Sequence, residues 1–176
     1  MSTSAEHHRR DRKDLRLGVI TVSSSRFAAA QGGRDFKDES GERACDIVRE
    51  KGFRVTFRKL VGDDVNAVRL ALAEGLATGL ADAIVFIGGT GVSPTDVTPE
   101  ALGPLLSKSL PGFGELFRQR SGGKIGASSV LSRAIGGTVD GVGVFCLPGS
   151  PEGCGLGMEI VLEVLPHLAA VSRPAK

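Results

Sequence analysis

The chain has 176 residues, the size of one ordinary domain, and its 41% hydrophobic and 24% charged residues exclude a chain disordered throughout. Its net charge of +2 sits in the first sixteen residues, five basic against three acidic, which leaves a balanced body without the basic footprint of a nucleic-acid binder. There is no Trp or Tyr for base stacking, and the longest unbroken apolar run, Ala83 to Ile87, is far below the ~20 residues of a bilayer span.

Residues 1–14 read as a basic, solvated tail, with weak polyanion binding as the sharper alternative. His7 and His8 lack a third metal ligand nearby. The opening stretch has no apolar segment of the secretory kind, so a soluble, cytoplasmic protein is expected, with neither membrane nor nucleic acid as partner. Cys45, Cys146 and Cys154 are odd in number and lack C-x-x-C spacing, as reduced core thiols would be.

Leu15–Ser23 is aliphatic and β-branched, the pattern of a buried strand. Residues 24–38 break periodicity and read as a long loop. Asp38 or Ser40 caps a helix through Ala44, Cys45, Ile47 and Val48, which ends at Lys51 with Gly52 behind it. Phe53–Leu60 alternates as a strand with one wetter face. Gly62-Asp63-Asp64 opens a helix carrying Val65, Val68, Leu72 and Leu76.

Ala83–Ile87 is a fully buried central strand that runs into Gly88-Gly89-Thr90-Gly91. Thr98 caps the next helix, with Pro99 at its first position and Leu106 at its end. Pro111–Arg120 forms another helix, whose Phe113 and Phe117 face either core or an interface. Asp140-Gly141 marks a tight hairpin between two strands. A last helix spans Glu152 to Val171, kinked or interrupted near Pro166. Alternating strands and helices imply right-handed βαβ units, and the hairpin adds an antiparallel pair. The expected fold is a single three-layer α/β/α domain over residues 15–171 with a mostly parallel, mixed sheet, followed by a tail at 172–176.

Ligands of open α/β sheets collect at the carboxyl ends of the strands. Four features belong there. Gly88 to Gly91 would let amides approach phosphate oxygens. Asp96 and the Asp63-Asp64 pair would repel an anion unless a hard cation such as Mg²⁺ lay between. Leu147-Pro148-Gly149-Ser150-Pro151 is a strand-to-helix turn, another anion site. Ser121-Gly-Gly-Lys124 matches S-x-x-K, but its companion motifs are missing, and no His/Asp pair follows Ser23-Ser24-Ser25 to activate a nucleophile.

The ordered set GGTGVSPTDVTPEAL (88–102), PGFGELFRQRS (111–121), LSRAIGG (131–137) and LPGSPEG (147–153) resembles the MoaB/MogA family of molybdenum-cofactor biosynthesis and the related gephyrin G domain. VITVSSSR (19–26), DESG (38–41) and LVGDD (60–64) extend the likeness over residues 15–171. The resemblance implies binding of molybdopterin and, in the MogA branch, transfer of AMP from Mg-ATP to its terminal phosphate. By position it makes Asp63 and Asp96 catalytic, metal-associated carboxylates, with Asp38 as a further metal ligand. It assigns ligand binding to Ser23, Ser40, Gly88, Gly89, Thr90, Gly91, Thr98, Pro148, Gly149 and Ser150. It also implies a homotrimer or hexamer and a downstream metal-insertion protein. Ser24 stands where many relatives carry Asp, and Thr95 where MogA-type loops often carry Arg, which leans toward MoaB. A non-catalytic pterin-binding scaffold is the first alternative. A metal-dependent nucleotide pyrophosphatase is the second, and PGFGELFR and LSRA speak against it.

Overall fold

The computed structural model describes residues 14–172, and the expected basic tail and the last four residues lie outside them except for Asp14. The elements are β1 (Arg16–Val22), α1 (Ser24–Gln31), α2 (Glu39–Glu50), β2 (Arg54–Val61), α3 (Val65–Ala77), β3 (Ala83–Ile87), α4 (Thr98–Leu102), β4 (Lys108–Ser109), α5 (Pro111–Ile125), β5 (Ile135–Val139), β6 (Val142–Leu147) and α6 (Pro151–Ser172). Short 3-10 turns follow α4 and α5, at Gly103–Leu105 and Gly126–Leu131.

One six-stranded sheet runs in the order β2-β1-β3-β6-β5-β4. The β2, β1, β3 and β6 neighbours pair in parallel, and β5 is antiparallel to both β6 and β4. Asp140 and Gly141, with φ of 50° and 78°, form the hairpin turn, which requires two positive φ angles in succession.

Period-two alternation divides the central strands between two cores. Leu17, Val19, Val85, Ile87, Phe145 and Leu147 face the side covered by α2, α5 and α6, where Ala44, Phe117 and Met158 pack against them. Ile20, Val22, Ile84, Phe86, Val144 and Cys146 face α3 and α4, meeting Val68, Leu72 and Leu102. The result is the expected α/β/α sandwich. Phe113 and Phe117 belong to the core, with ring centroids of Phe113 and Phe145 5.0 Å apart.

Several local expectations change. Residues 24–31 are helical rather than loop, because the Ser23 hydroxyl accepts from the Arg26 amide and the Ala28–Ala30 run propagates the turn. No residue of α1 is buried, so periodicity gave no signal for it. Thr98 does not cap α4; Val97 occupies that position, and the Thr98 hydroxyl donates 2.8 Å to the Gly88 carbonyl. α5 extends past Arg120 to Ile125. α6 runs unbroken through Pro166. By length and composition α6 alone among the described residues would cross a membrane, yet Cys154, Met158, Ile160, Val161 and Leu165 are buried in the protein core.

Candidate active site

The chain leaves β1 toward β2 on one side and leaves β3 toward the other edge, so the strand order reverses between β1 and β3. This is the switch point at which open α/β sheets bind ligands. Gly88 and Gly89 follow β3 here with φ of 112° and 63°. A side chain at Gly88 would stand 2.2 Å from the Val22 carbonyl oxygen, and one at Gly89 2.4 Å from Thr98 Oγ1. Only glycine fits either position. A side chain at Gly149 would come 3.3 Å from Gly88 Cα, so the β3 loop and the β6 turn lie backbone against backbone.

A cleft of about 450 Å³ opens between these two segments. Gly89, Thr90, Gly91 and Asp96 form one wall, and Pro148, Gly149 and Ser150 form another. Phe117, Ile125, Leu131 and Leu156 give it an apolar side, with Ser121, Lys124, Ser132 and Glu152 beside them.

Hydrogen bonding explains what this cleft can hold. The Gly88 amide donates to Leu147 O and the Ser93 amide to Asp96 Oδ2, but no described residue accepts from the amides of Gly89, Thr90, Gly91 or Val92. The amides of Gly149 and Ser150 are equally unpaired, at the entrance to the 22-residue α6. Consecutive unpaired amides and a helix N-terminus attract anions, phosphate above all. Lys124 makes no ion pair among the described residues and adds a cation to the wall.

Both expected catalytic carboxylates flank the glycine loop. Asp63 Oδ2 accepts from the Ser24 amide at 2.6 Å, while the Asp63 amide donates to Ser24 Oγ at 2.9 Å. Asp63 Oδ1 lies 3.3 Å from where a Gly89 side chain would begin. Asp96 Oδ2 accepts from the Ser93 amide at 2.9 Å and stands 2.8 Å from the corresponding point on Gly91. Each carboxylate therefore braces its own loop with Oδ2 and keeps Oδ1 without a protein donor.

Other expected residues take different places. Asp38 is buried, and its oxygens accept from Thr21 Oγ1, the Gly41 amide and Arg58. That set of donors lets it tie β1, α2 and β2 together. Among the described residues no three His, Cys, Asp or Glu side chains converge as a metal cage. Ser23 caps α1, and Ser40 and Thr98 are buried behind the cleft, where they bond the carbonyls of Gly149 and Gly88. They hold the site from outside its walls.

Arg133 stands in the LSRAIGG segment just ahead of β5. Its amide donates to Thr90 O at 3.1 Å, Nε to Gly91 O at 2.7 Å and Nη2 to Asp96 O at 2.8 Å, with Nη1 on the Glu100 carboxylate. Desolvation opposes ionisation of Glu100, but the hydrogen bond and charge of Arg133 outweigh it and hold this carboxyl below its ordinary value. These partners lie 33 to 43 positions away in the sequence, beyond any local pattern. Ser121 and Lys124 reach the wall because α5 continues a turn beyond the expected end. The cysteines stay outside the chemistry: all three are buried and unpaired, and burial pushes the Cys154 thiol up to about 12.

Residues 18–167 match the family model described as a probable molybdopterin binding domain. The chain is 37% identical over 165 residues to molybdenum cofactor biosynthesis protein B of Bacillus cereus, covering 93% of this chain and 94% of that protein. It is 38% identical over 172 residues to the molybdopterin adenylyltransferase of Pyrococcus furiosus, covering 96% and 97%. The crystal structure of the tungsten cofactor synthesizing protein MoaB from Pyrococcus furiosus superposes with a TM-score of 0.81 at 36% identity, covering 92% of this chain and 99% of that one.

Proposed function

Since the chain belongs to the molybdopterin-binding domain family of the MoaB and MogA proteins, we propose that its cleft binds molybdopterin and ATP and transfers AMP to the molybdopterin phosphate. One observation carries the reading: Gly89, Thr90 and Gly91, whose amides are unpaired among the described residues, line the same cleft as Gly149 and Ser150, whose amides are equally unpaired. Two phosphate-binding backbones on one cleft suit a reaction between two phosphorylated substrates.

In this reaction a terminal phosphate oxygen of molybdopterin attacks the α-phosphorus of ATP. A new P–O bond forms, the bond to the β-phosphate breaks, and its electron pair leaves with pyrophosphate. The nucleophile is already ionised, so no general base is required, and no histidine lines the cleft. The amides of Gly89 to Gly91 spread the developing charge, and Lys124 balances the leaving phosphates. The apolar wall of Phe117, Leu131 and Leu156 receives a flat heterocycle.

The uncommitted Oδ1 atoms of Asp63 and Asp96 are hard oxygen donors, the kind Mg²⁺ takes singly or in pairs alongside substrate phosphates. When bound there, Mg²⁺ would neutralise phosphate charge. The exposed Val130, next to Ile125 and Leu131 on the rim of the cleft, supports a homo-oligomer, trimer or hexamer, and three unpaired thiols suit the reducing cytoplasm. Incubation of the protein with molybdopterin and ATP, with and without Mg²⁺, tests the reading by mass spectrometry of the product. Adenylyl-molybdopterin and pyrophosphate in equal amounts are expected. Tight pterin binding without either product would establish the scaffold reading, to which the Ser93–Thr95 hydroxyl pair, 3.0 Å apart where an arginine is common, gives some support.

A further inference from the structure

We infer that Arg133 is the positioning residue of the glycine loop: by taking its carbonyl oxygens from behind, it turns the Gly91 and Val92 amides away as anion donors. In a trans peptide the C=O and N–H point in opposite directions, and the described residues contain no cis peptide. The Arg133 amide holds Thr90 O, so the N–H of the same peptide, that of Gly91, points away from it. Nε holds Gly91 O, which directs the Val92 N–H likewise. Both amides lack any protein acceptor. Nη2 on Asp96 O fixes the far end of the loop, and with it the Asp96 carboxylate.

The geometry places Arg133 behind the loop. It does not line the cleft but a separate shallow groove with Val92, Asp96 and Glu100. It therefore acts through the loop and not on a substrate. Its own position is fixed by buried Ala134 and the start of β5, and by Glu100 on Nη1. Only a guanidinium presents several donors in a rigid plane, so a lysine would keep the charge and lose the clamp.

The kinetic part of the test rests on the proposed adenylyl transfer, whereas the exchange and binding parts do not. Arg133→Lys and Arg133→Ala are compared with wild type by amide hydrogen exchange. The amides of Ser93, Asp96 and Thr98, bonded within the loop, are expected to exchange about 10-fold faster or more. The amides of β1 and β3 should be unchanged, and inorganic pyrophosphate should bind about 10-fold more weakly. In the transfer assay kcat is expected to fall about 10²-fold in both variants with a smaller change in KM. The Arg133 side chain is 33% exposed, so millimolar guanidinium should partly restore the alanine variant and leave wild type unaffected. Arg133→Lys retains the aliphatic stem, which keeps the test open if the alanine variant fails to fold. Unchanged loop exchange and pyrophosphate binding in a folded Arg133→Lys protein would overturn the inference. Wild-type protein that forms no adenylylated product would overturn the proposed transfer instead, with the exchange result still deciding the role of Arg133.

Discussion

Ser40 Oγ donates a 2.6 Å hydrogen bond to the carbonyl oxygen of Gly149, joining the first turn of α2 to the turn after β6 across 109 positions of sequence. Ser40 itself is 1% exposed. It fixes the turn after β6 from behind, with Cys154 Sγ on the Ser40 carbonyl as a second tie. Ser40→Ala leaves the Gly149 carbonyl unpaired and is expected to cost about 1–3 kcal/mol of stability. Ligand affinity should fall with it, because the turn loses its support. Chemical denaturation and pterin titration on the same protein check both effects.

Asp96→Asn retains an oxygen to accept from the Ser93 amide but carries no charge. With Oδ1 as the functional atom, kcat for adenylyl transfer should fall at least about 10²-fold. Stability should change by less than about 1 kcal/mol and molybdopterin binding should persist. Folded Asp96→Asn protein with near-wild-type turnover would remove this carboxylate from the mechanism.

Asp63→Asn should behave in the same way, because its remaining oxygen still takes the Ser24 amide. If both carboxylates serve one ion, the double variant loses less than the product of the two single losses. Fully multiplicative losses in kcat would show that the two act separately.

Gly89→Ala places a methyl group 2.4 Å from Thr98 Oγ1 at a φ of 63°. The strain of that conformation, about 1–3 kcal/mol, should appear as lowered Tm. The Thr98 bond to Gly88 must shift as well, so phosphate affinity falls. Alanine at Gly112, where a side chain meets nothing within 4 Å, is the control and should leave both quantities near wild type.

The Glu100 carboxyl is held below its ordinary value in the folded chain, so its contribution to stability is present above the unfolded value of about 4.3 and is lost as pH falls through the folded one. The group is half exposed, which keeps the effect below about 1 kcal/mol. Wild type should therefore be slightly more stable than Glu100→Gln at about pH 6, and the difference should shrink as pH falls below the unfolded value. Thermal melts across this range decide it, and a constant difference would contradict the assignment.

Sequence periodicity alone carried the sandwich. The aliphatic runs at β1, β3 and β6 can only be buried on both faces, and Asp140-Gly141 closes a hairpin by local backbone preference. The glycine loop and the two aspartates were legible because glycine and carboxylate chemistry is carried by residue type. α1 was not legible, since a helix that buries nothing leaves no apolar stripe. Tertiary structure decided which polar side chains support the cleft and which line it. Asp38 and Thr98 spend their oxygens on distant partners, whereas Lys124 reaches the wall only because α5 runs on past Arg120. Arg133 acquired its position in the same way, since a side chain that bonds carbonyls 33 to 43 residues away has its role set by strand order, not by neighbours in the chain.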